Sequence, residues 1–335
     1  MARRLIPALP LVLLALWTPA HAAPFSVDRI TPPAPITALA LGADGAVLAV
    51  QKDGLQRRFR WADGAVLFDA PVQPETPLRT ADGLPDAVIV TGTGDIRTAL
   101  LTNPTERYDH GVLGDRIEAA SLFAARADGH VARLDLPNDS VFEDRYPRLV
   151  TMDGDPRLLT VRSYLTRGAA VVLAGFAGDD LVITNESPPI GTPNRWLNPV
   201  GAGDFDGDGQ DEVAVVITPH IGGTLTLFRP DGHKLGVVGD APGFSNHRLG
   251  SRALGLSAVL EINGDGVPDL AVPNTARRHL RLVTFAGGRF QELGVLQNPA
   301  EIVTAIIATD LDRDGTQDLI YGTADGAIAI ARQHP

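Results

Sequence analysis

The chain has 335 residues, of which 44% are hydrophobic and 5% aromatic, with 35 Gly and 26 Pro. This apolar content excludes a disordered chain, and the density of Gly and Pro excludes a helical bundle. The formal net charge of −11 disfavours a nucleic-acid-binding protein, because such proteins need a basic surface to displace counterions from phosphates.

Residues 1–22 are predicted to be a secretory signal peptide. Two Arg precede an apolar stretch over residues 5–17, which is too short to span a bilayer, and residues 20–22 fit the small-x-small rule for cleavage. No later stretch is apolar enough for a transmembrane helix. We therefore expect a mature chain from residue 23 that is periplasmic or secreted and has no membrane span. The sequence has no Cys, so the protein would be stabilised without disulfides.

The remaining residues, 23–335, are predicted to form one all-β domain. Between residues 35 and 140, short apolar runs alternate with five Asp-Gly pairs, which favour hairpin turns. Residues 146–186 continue the pattern around a damaged acidic loop. Short β-rich runs at intervals of about 8–12 residues are typical of all-β folds.

Three nine-residue acidic segments recur in the second half of the chain, beginning at residues 204, 261 and 310. Their starting points are 57 and 49 residues apart, and a period in this range indicates a repeat architecture. An apolar run precedes each segment, and β-rich runs follow it. Four antiparallel strands in each repeat of this length correspond to one blade of a β-propeller.

We therefore predict a seven-bladed β-propeller of four-stranded antiparallel blades. Residues 35–140 must supply the blades that precede residue 146, and counts of six or eight stay open because the third unit is short. The last copy ends near residue 331 without a clear fourth strand, whereas residues 25–30 have a β-rich sequence without an assigned partner. We expect residues 25–30 to complete the last blade, close the ring and remove exposed sheet edges.

Each acidic segment places oxygen ligands at positions 1, 3 and 5, with a backbone carbonyl at position 7 and a carboxylate at position 9. Such an all-oxygen shell suits a hard cation, and a flexible loop suits Ca²⁺ better than Mg²⁺. We predict two to three Ca²⁺ ions, against the alternative of Asp-Gly turns without metal. The predicted ligands are Asp204, Asp206, Asp208, Gln210 and Glu212 in the first loop, Glu261, Asn263, Asp265, Val267 and Asp269 in the second, and Asp310, Asp312, Asp314, Thr316 and Asp318 in the third.

The segments do not match an EF-hand, because position 12 lies in a β-rich run instead of being a Glu that begins a helix. They resemble FG-GAP repeats, the calcium-bearing propeller blades of integrin α-chains and of bacterial proteins with VCBS repeats. The resemblance is clearest over residues 146–331, and Glu212 and Glu261 depart from the usual Asp. It implies a seven-bladed propeller with Ca²⁺ in the hairpin between the first two strands of a blade.

A candidate ligand face is predicted at the opposite end of the strands. Arg, Trp and His side chains near the starts of first strands and the ends of second strands suit an anionic or carbohydrate ligand. The alternative interpretation is structural, with Arg bonded to backbone carbonyls and Trp packed in the interior. The candidate residues are Arg162, Asn194, Arg195, Trp196, Asn198, His220, His247, Arg248, Arg252 and Asn274.

The sequence contains no His-Glu-x-x-His zinc motif, no phosphate-binding loop and no Gly-x-Ser-x-Gly elbow. We therefore predict a monomeric, non-enzymatic module that binds a protein or carbohydrate partner at the candidate ligand face. The main alternative is a propeller hydrolase or lyase in which His220 and His247 are acid/base groups. A scaffold for envelope assembly is a third alternative.

Overall fold

The computed structural model describes residues 25–42, 44–74 and 82–334. Within these ranges the chain forms 25 β-strands and no helix, which confirms the all-β prediction. It follows that nothing in these ranges supplies a helix with the length and apolarity needed to cross a bilayer. The predicted signal peptide, residues 1–22, lies outside the described residues.

Antiparallel pairing groups most of these strands into six units of four, numbered along the chain. Unit 1 contains β2 (Ile36–Leu41), β3 (Val47–Gln51), β4 (Gln56–Ala62) and β5 (Ala65–Phe68). Unit 2 contains β6 (Val90–Thr91), β7 (Ile96–Thr105), β8 (Glu118–Arg126) and β9 (Val131–Asp135). Unit 3 contains β11 (Arg148–Met152), β12 (Asp155–Tyr164), β13 (Gly168–Ala177) and β14 (Asp180–Glu186). Unit 4 contains β15 (Leu197–Gly203), β16 (Glu212–Ile217), β17 (Thr224–Asp231) and β18 (Lys234–Pro242). Unit 5 contains β19 (Ala258–Leu260), β20 (Asp269–Pro273), β21 (His279–Thr284) and β22 (Gln291–Gln297). Unit 6 contains β23 (Ile307–Thr309), β24 (Asp318–Gly322), β25 (Ile328–Gln333) and β1 (Phe25–Ile30). The short strand β10 (Ser140–Phe142) pairs with β8 and β12, and so joins units 2 and 3.

Within a unit, the inner strands are buried and the outer strand is largely exposed. All five residues of β20 and of β24 are buried, and these strands are rich in Leu, Ile and Val, as expected of strands that are covered on both faces. The outer strand β18 instead exposes six of its nine residues. This gradient indicates that neighbouring units pack face to face through their inner strands.

Five hydrophobic core clusters join successive units. Leu158 and Val172 of unit 3 pack with residues of unit 2, and Phe205 and Val216 of unit 4 pack with residues of unit 5. The other clusters join units 3 and 4, units 5 and 6, and units 6 and 1. The clusters therefore connect the units in the order 2-3-4-5-6-1, and among the described residues none joins unit 1 to unit 2.

The strand pairing of the described residues gives six units, a number that the sequence left open beside seven, and confirms the pairing of the first strand. Phe25–Ile30 pairs antiparallel with β25 over its full length, as the sequence predicted. The described residues do not contain the predicted seven units. Between β5 and β6 their only strand-type pairings are isolated bridges, at Val72 and Gly83. Residues 69–74 and 82–89, the described parts of this stretch, therefore form no further four-stranded unit.

Candidate metal loops and candidate ligand face

The three acidic segments form the hairpins between the first and second strands of units 4, 5 and 6, and they share one hydrogen-bond pattern. The carboxylate at position 9 accepts from the backbone N–H at position 2 in each loop, which ties the two strand ends together. The N···O distances are 2.9 Å for Phe205 to Glu212, 3.0 Å for Ile262 to Asp269 and 3.0 Å for Leu311 to Asp318.

The glycine at position 6 turns each loop back on its first carboxylate. Gly209, Gly266 and Gly315 have φ of 90°, 82° and 96°, a backbone conformation that residues other than Gly rarely adopt. Their N–H groups donate to Asp204, Glu261 and Asp310 at 2.8, 2.7 and 3.1 Å. These bonds fix the loop backbone and hold the acidic side chains of each loop together.

The third loop fits a bound cation. One carboxylate oxygen from each of Asp310, Asp312 and Asp318 lies within 4.8 Å of the others. The Asp312 Oδ1 atom is buried and has no hydrogen-bond partner, and burial raises the pKa of Asp318 to about 6. A buried carboxylate oxygen without a partner is costly, and a cation ligated by these oxygens would remove that cost.

The second loop has fewer charges because position 3 is Asn263, and it does not bring three carboxylates within 4.8 Å of one another as the first and third loops do. Asp269 is fully buried, and its Oδ1 atom has no hydrogen-bond partner, although the Thr284 hydroxyl lies near its carboxyl group. Burial raises the pKa of Asp269 to about 6. The remaining lone pairs of Asp269 are therefore available to a metal ion.

The first loop has the same backbone geometry but a different electrostatic environment. Asp204, Asp206 and Glu212 bring carboxylate oxygens within 4.8 Å of one another. The Arg229 guanidinium, however, bonds to Asp206, Asp208 and Glu212. The carboxylates of this loop are thus already paired with a cation of the chain itself, whereas those of the third loop leave the Asp312 Oδ1 atom without a partner.

At the opposite end of the strands, Trp196, His220 and His247 come together as predicted. His247 is fully buried, and its Nε2 lies 2.8 Å from the Ser251 carbonyl oxygen. A carbonyl only accepts, so His247 Nε2 carries a proton and its Nδ1 accepts from His220 Nε2 at 2.8 Å. Of the four ring nitrogens, His220 Nδ1 alone has no hydrogen bond within the described residues.

The His220 ring lies parallel to the Trp196 indole, with an interplanar angle of 3° and 6.1 Å between ring centroids. Burial lowers the pKa of both His220 and His247 to about 4, and Arg277 adds a smaller repulsive contribution. Both imidazoles are therefore neutral near pH 7. The pair offers one hydrogen-bond acceptor, His220 Nδ1, at a partly exposed position.

Sequence reasoning missed a buried contact beside this pair, between Glu143 and His110. Glu143 is fully buried; its Oε1 lies 2.6 Å from His110 Nδ1, and the Ser163 hydroxyl donates to Oε2. Its backbone carbonyl accepts from Trp196 Nε1 at 3.0 Å. Burial raises the pKa of Glu143, while His110 opposes the rise. No local pattern marks these residues, because the side-chain partners are 33 and 20 residues away in sequence.

The loop between β7 and β8, residues 106–117, extends over part of the candidate ligand face. Its Tyr108 hydroxyl accepts from the Asn194 N–H at 3.2 Å, and its Val112 carbonyl accepts from the Gly250 N–H at 2.9 Å. Arg252 donates to Asp115 of this loop at 2.6 Å. A loop from unit 2 thus bonds to the segments that precede units 4 and 5.

Many of the remaining candidate residues already have partners within the chain. Arg162 bonds to Glu186 and Ser140, and Asn274 accepts from the backbone N–H groups at residues 278 and 279. Asn198 is fully buried and donates to the carbonyls at residues 246 and 254. Asn194 and Arg248 are exposed, and Arg195 is half-buried.

This face also contains a cavity and two exposed apolar side chains. A cavity of about 380 Å³ is lined by residues 248–251 together with Leu256, Ile302 and Val303. At its rim Leu249 is 64% exposed, and Ile221, in the loop that carries His220, is 60% exposed. Apolar side chains elsewhere are nearly as exposed, such as Val131 at 56% and Val237 at 58%, so exposure alone does not mark a binding surface.

No protein-family model matches the chain, and no curated protein matches it. Among solved structures, the chain is similar to BBS1N in complex with ARL6DN in a crystal soaked with lead, with 13% identity and a TM-score of 0.44 over 94% of this chain and 98% of that chain. A crystal of the same complex soaked with mercury gives 12% identity and a TM-score of 0.44 over the same shares. Similarity this distant says nothing about function.

Proposed function

We propose that the protein is an exported β-propeller of the FG-GAP type that is stabilised by calcium and binds a protein partner. The repeated loop geometry of units 4 to 6 supports the resemblance stated from the sequence. The partnerless oxygens Asp269 Oδ1 and Asp312 Oδ1 support Ca²⁺ in the second and third loops. The order of the core clusters supports a ring of units, which packing of unit 1 against unit 2 would close.

The candidate ligand face is the proposed binding surface, and its exposed apolar residues carry this assignment. Leu249 follows the exposed Arg248 in the chain, and Ile221 lies in the loop that carries His220, so the surface combines apolar and basic groups. That combination suits an acidic protein surface with an apolar element. The surface suits a carbohydrate less well, because Trp196 is only 2% exposed and cannot stack on a sugar ring.

The hydrolase or lyase alternative has weaker support in the geometry. Both ring nitrogens of His247 are bonded within the chain, which leaves His220 as the available base of the pair. A histidine whose pKa is lowered to about 4 is a weak general base near neutral pH. The arrangement therefore favours a structural role for the pair beneath a binding surface.

Site-specific photocrosslinking in the exporting cell tests the proposed surface. A photoreactive amino acid at Leu249 or Ile221 should give a discrete crosslinked species with a protein partner, and Arg248→Glu should weaken it. Val237 on the outer strand β18 is 58% exposed and provides the matched control position. Equal crosslinking from all three positions, or none from Leu249 and Ile221, would refute the proposed surface.

A further inference from the structure

The arginine of the first acidic loop has a counterpart in the third loop at the same place in the strand register. In unit 4, Val213 pairs with Phe228, directly before Arg229, and in unit 6 Leu319 pairs with Ala331, directly before Arg332. Thr284 occupies this place in unit 5. Two of the three loops therefore have a guanidinium within reach.

Arg229 is directed into its own loop. Its Nε lies 2.7 Å from Glu212 Oε1, its Nη2 lies 2.7 Å from Asp206 Oδ2, and its Nη1 lies 2.8 Å from Asp208 Oδ2. Glu212 is fully buried, and Arg229 is 21% exposed. Charge-assisted bonds from one guanidinium to three carboxylates are strong, and their geometry is fixed by the planar group.

Arg332 is directed away from its loop. Its Nη2 lies 3.0 Å from Asp28 of β1, and its guanidinium carbon lies 4.3 Å from the centre of the Trp61 ring. Its Nη1 lies 3.8 Å from Asp312 Oδ2 of the third loop, beyond hydrogen-bond distance. The third loop therefore keeps carboxylate oxygens that no guanidinium covers.

The difference between the two arginines follows from the outer strands of their units. In unit 6, Asp28 pairs with Ile330, whereas the corresponding residue of unit 4, Leu227, pairs with Gly239. Unit 4 thus offers no outer-strand carboxylate at the place where Asp28 holds Arg332. Arg229 instead bonds to the carboxylates of the first loop.

We propose that Arg229 is the resident cation of the first loop, so that the chain binds Ca²⁺ in the second and third loops and not in the first. The inference rests on the proposed calcium role of the other two loops. The oxygens that would ligate an ion at positions 3, 5 and 9 are those that Arg229 occupies, and a second cation beside a guanidinium is repelled by it. Removing Arg229 leaves a cluster of carboxylates that is open to metal.

Calcium stoichiometry of the mature protein tests this inference. Chelator-stripped protein is equilibrated with saturating Ca²⁺, and bound metal per chain is measured after dialysis, with Mg²⁺ as a parallel probe. The wild type should bind two Ca²⁺, Arg229→Met should bind three, and the matched variant Arg332→Met should still bind two. Three ions in the wild type, or an unchanged count in folded Arg229→Met, would overturn the inference.

A second pair of variants keeps the test decisive if Arg229→Met does not fold. Asp204→Asn alters the first loop and should leave the count at two, whereas Asp310→Asn alters the third loop and should lower it to one. A lower count for Asp204→Asn would contradict the role of Arg229. No bound Ca²⁺ in the wild type would instead refute the calcium part of the proposed function, and a single ion gained by Arg229→Met would still support the resident-cation role.

Discussion

The two ends of units 4 to 6 are built in different ways. At the acidic-loop end, the bonds that recur in all three loops, such as Phe205 N–H to Glu212, join residues no more than seven apart, although the first loop also bonds to Gly287 and Asp153. At the candidate ligand face, Asn194 bonds to Tyr108 across 86 residues, and Arg252 bonds to Asp115 across 137. One end is therefore a local motif that recurs along the chain, and the other is a single arrangement of distant segments.

The largest expected effect is at the acidic-loop end, where stability should depend on Ca²⁺. Each site that binds Ca²⁺ only in the folded state adds about 2.7 kcal/mol at a hundredfold excess over Kd, so two sites add roughly 5 kcal/mol. Thermal melts in chelator and in Ca²⁺ should differ accordingly, and the Asp269→Asn/Asp318→Asn double variant should lose the difference. Arg252→Ala, at the opposite end, is the matched control and should retain it. A shift that is equal with Mg²⁺ would contradict calcium sites.

At the ligand-face end, stability should depend on buried side chains. Trp196 is 2% exposed, packs in the core cluster of units 3 and 4 and donates to the Glu143 carbonyl. Trp196→Ala should lower the free energy of unfolding by about 3–5 kcal/mol in urea titration, because it leaves a cavity and an unpaired carbonyl. Arg195→Ala, at the neighbouring half-buried residue, should change it by about 0.5 kcal/mol or less. Similar losses for both variants would contradict this role of Trp196.

The same contrast explains what could be predicted from the sequence. The acidic loops could be predicted because their ligand positions, their residue types and the Gly at position 6 all lie within nine residues. The pairing of β1 could be predicted because residues 25–30 had no assigned partner and the last unit lacked a fourth strand. Arg229 lies beyond that window, and unit 4 has Gly239 on its outer strand at the place where unit 6 has Asp28. Glu143 and His110 were missed because their contact is made by chain segments that only the fold brings together.

The histidine pair should make the ligand-face end sensitive to acid. Burial lowers the pKa of His220 to about 4 from its ordinary 6.5. Between pH 6.5 and pH 4, this side chain is therefore protonated in the unfolded chain and neutral in the folded protein. Stability should therefore fall as pH falls from 6.5 towards 4, by at most about 1.4 kcal/mol per pH unit for this group. In His220→Gln the fall between pH 6.5 and 5 should be shallower. Parallel curves for the two proteins would show that His220 does not contribute.

The smallest expected effect on stability, and the one most specific to the ligand-face end, comes from Arg252. Its side chain is 46% exposed and links Asp115 of the 106–117 loop to Asp86, which Arg145 also binds. An exposed ion pair of this kind contributes about 1 kcal/mol or less, so Arg252→Ala should barely change the urea midpoint. The loop itself should open more often, because one of its few attachments to the segment before unit 5 is lost.

Hydrogen exchange followed by mass spectrometry separates these two consequences. Peptides that cover residues 106–117 should exchange faster in Arg252→Ala, while peptides of the acidic loops should keep their wild-type rates. Arg281→Ala provides the matched control, because Arg281 pairs with Glu292 between the strands of unit 5, away from the 106–117 loop. If the 106–117 peptides exchange alike in both variants, the loop is held by its backbone bonds, such as Gly250 to Val112, and the Arg252 ion pairs play no part in keeping it closed.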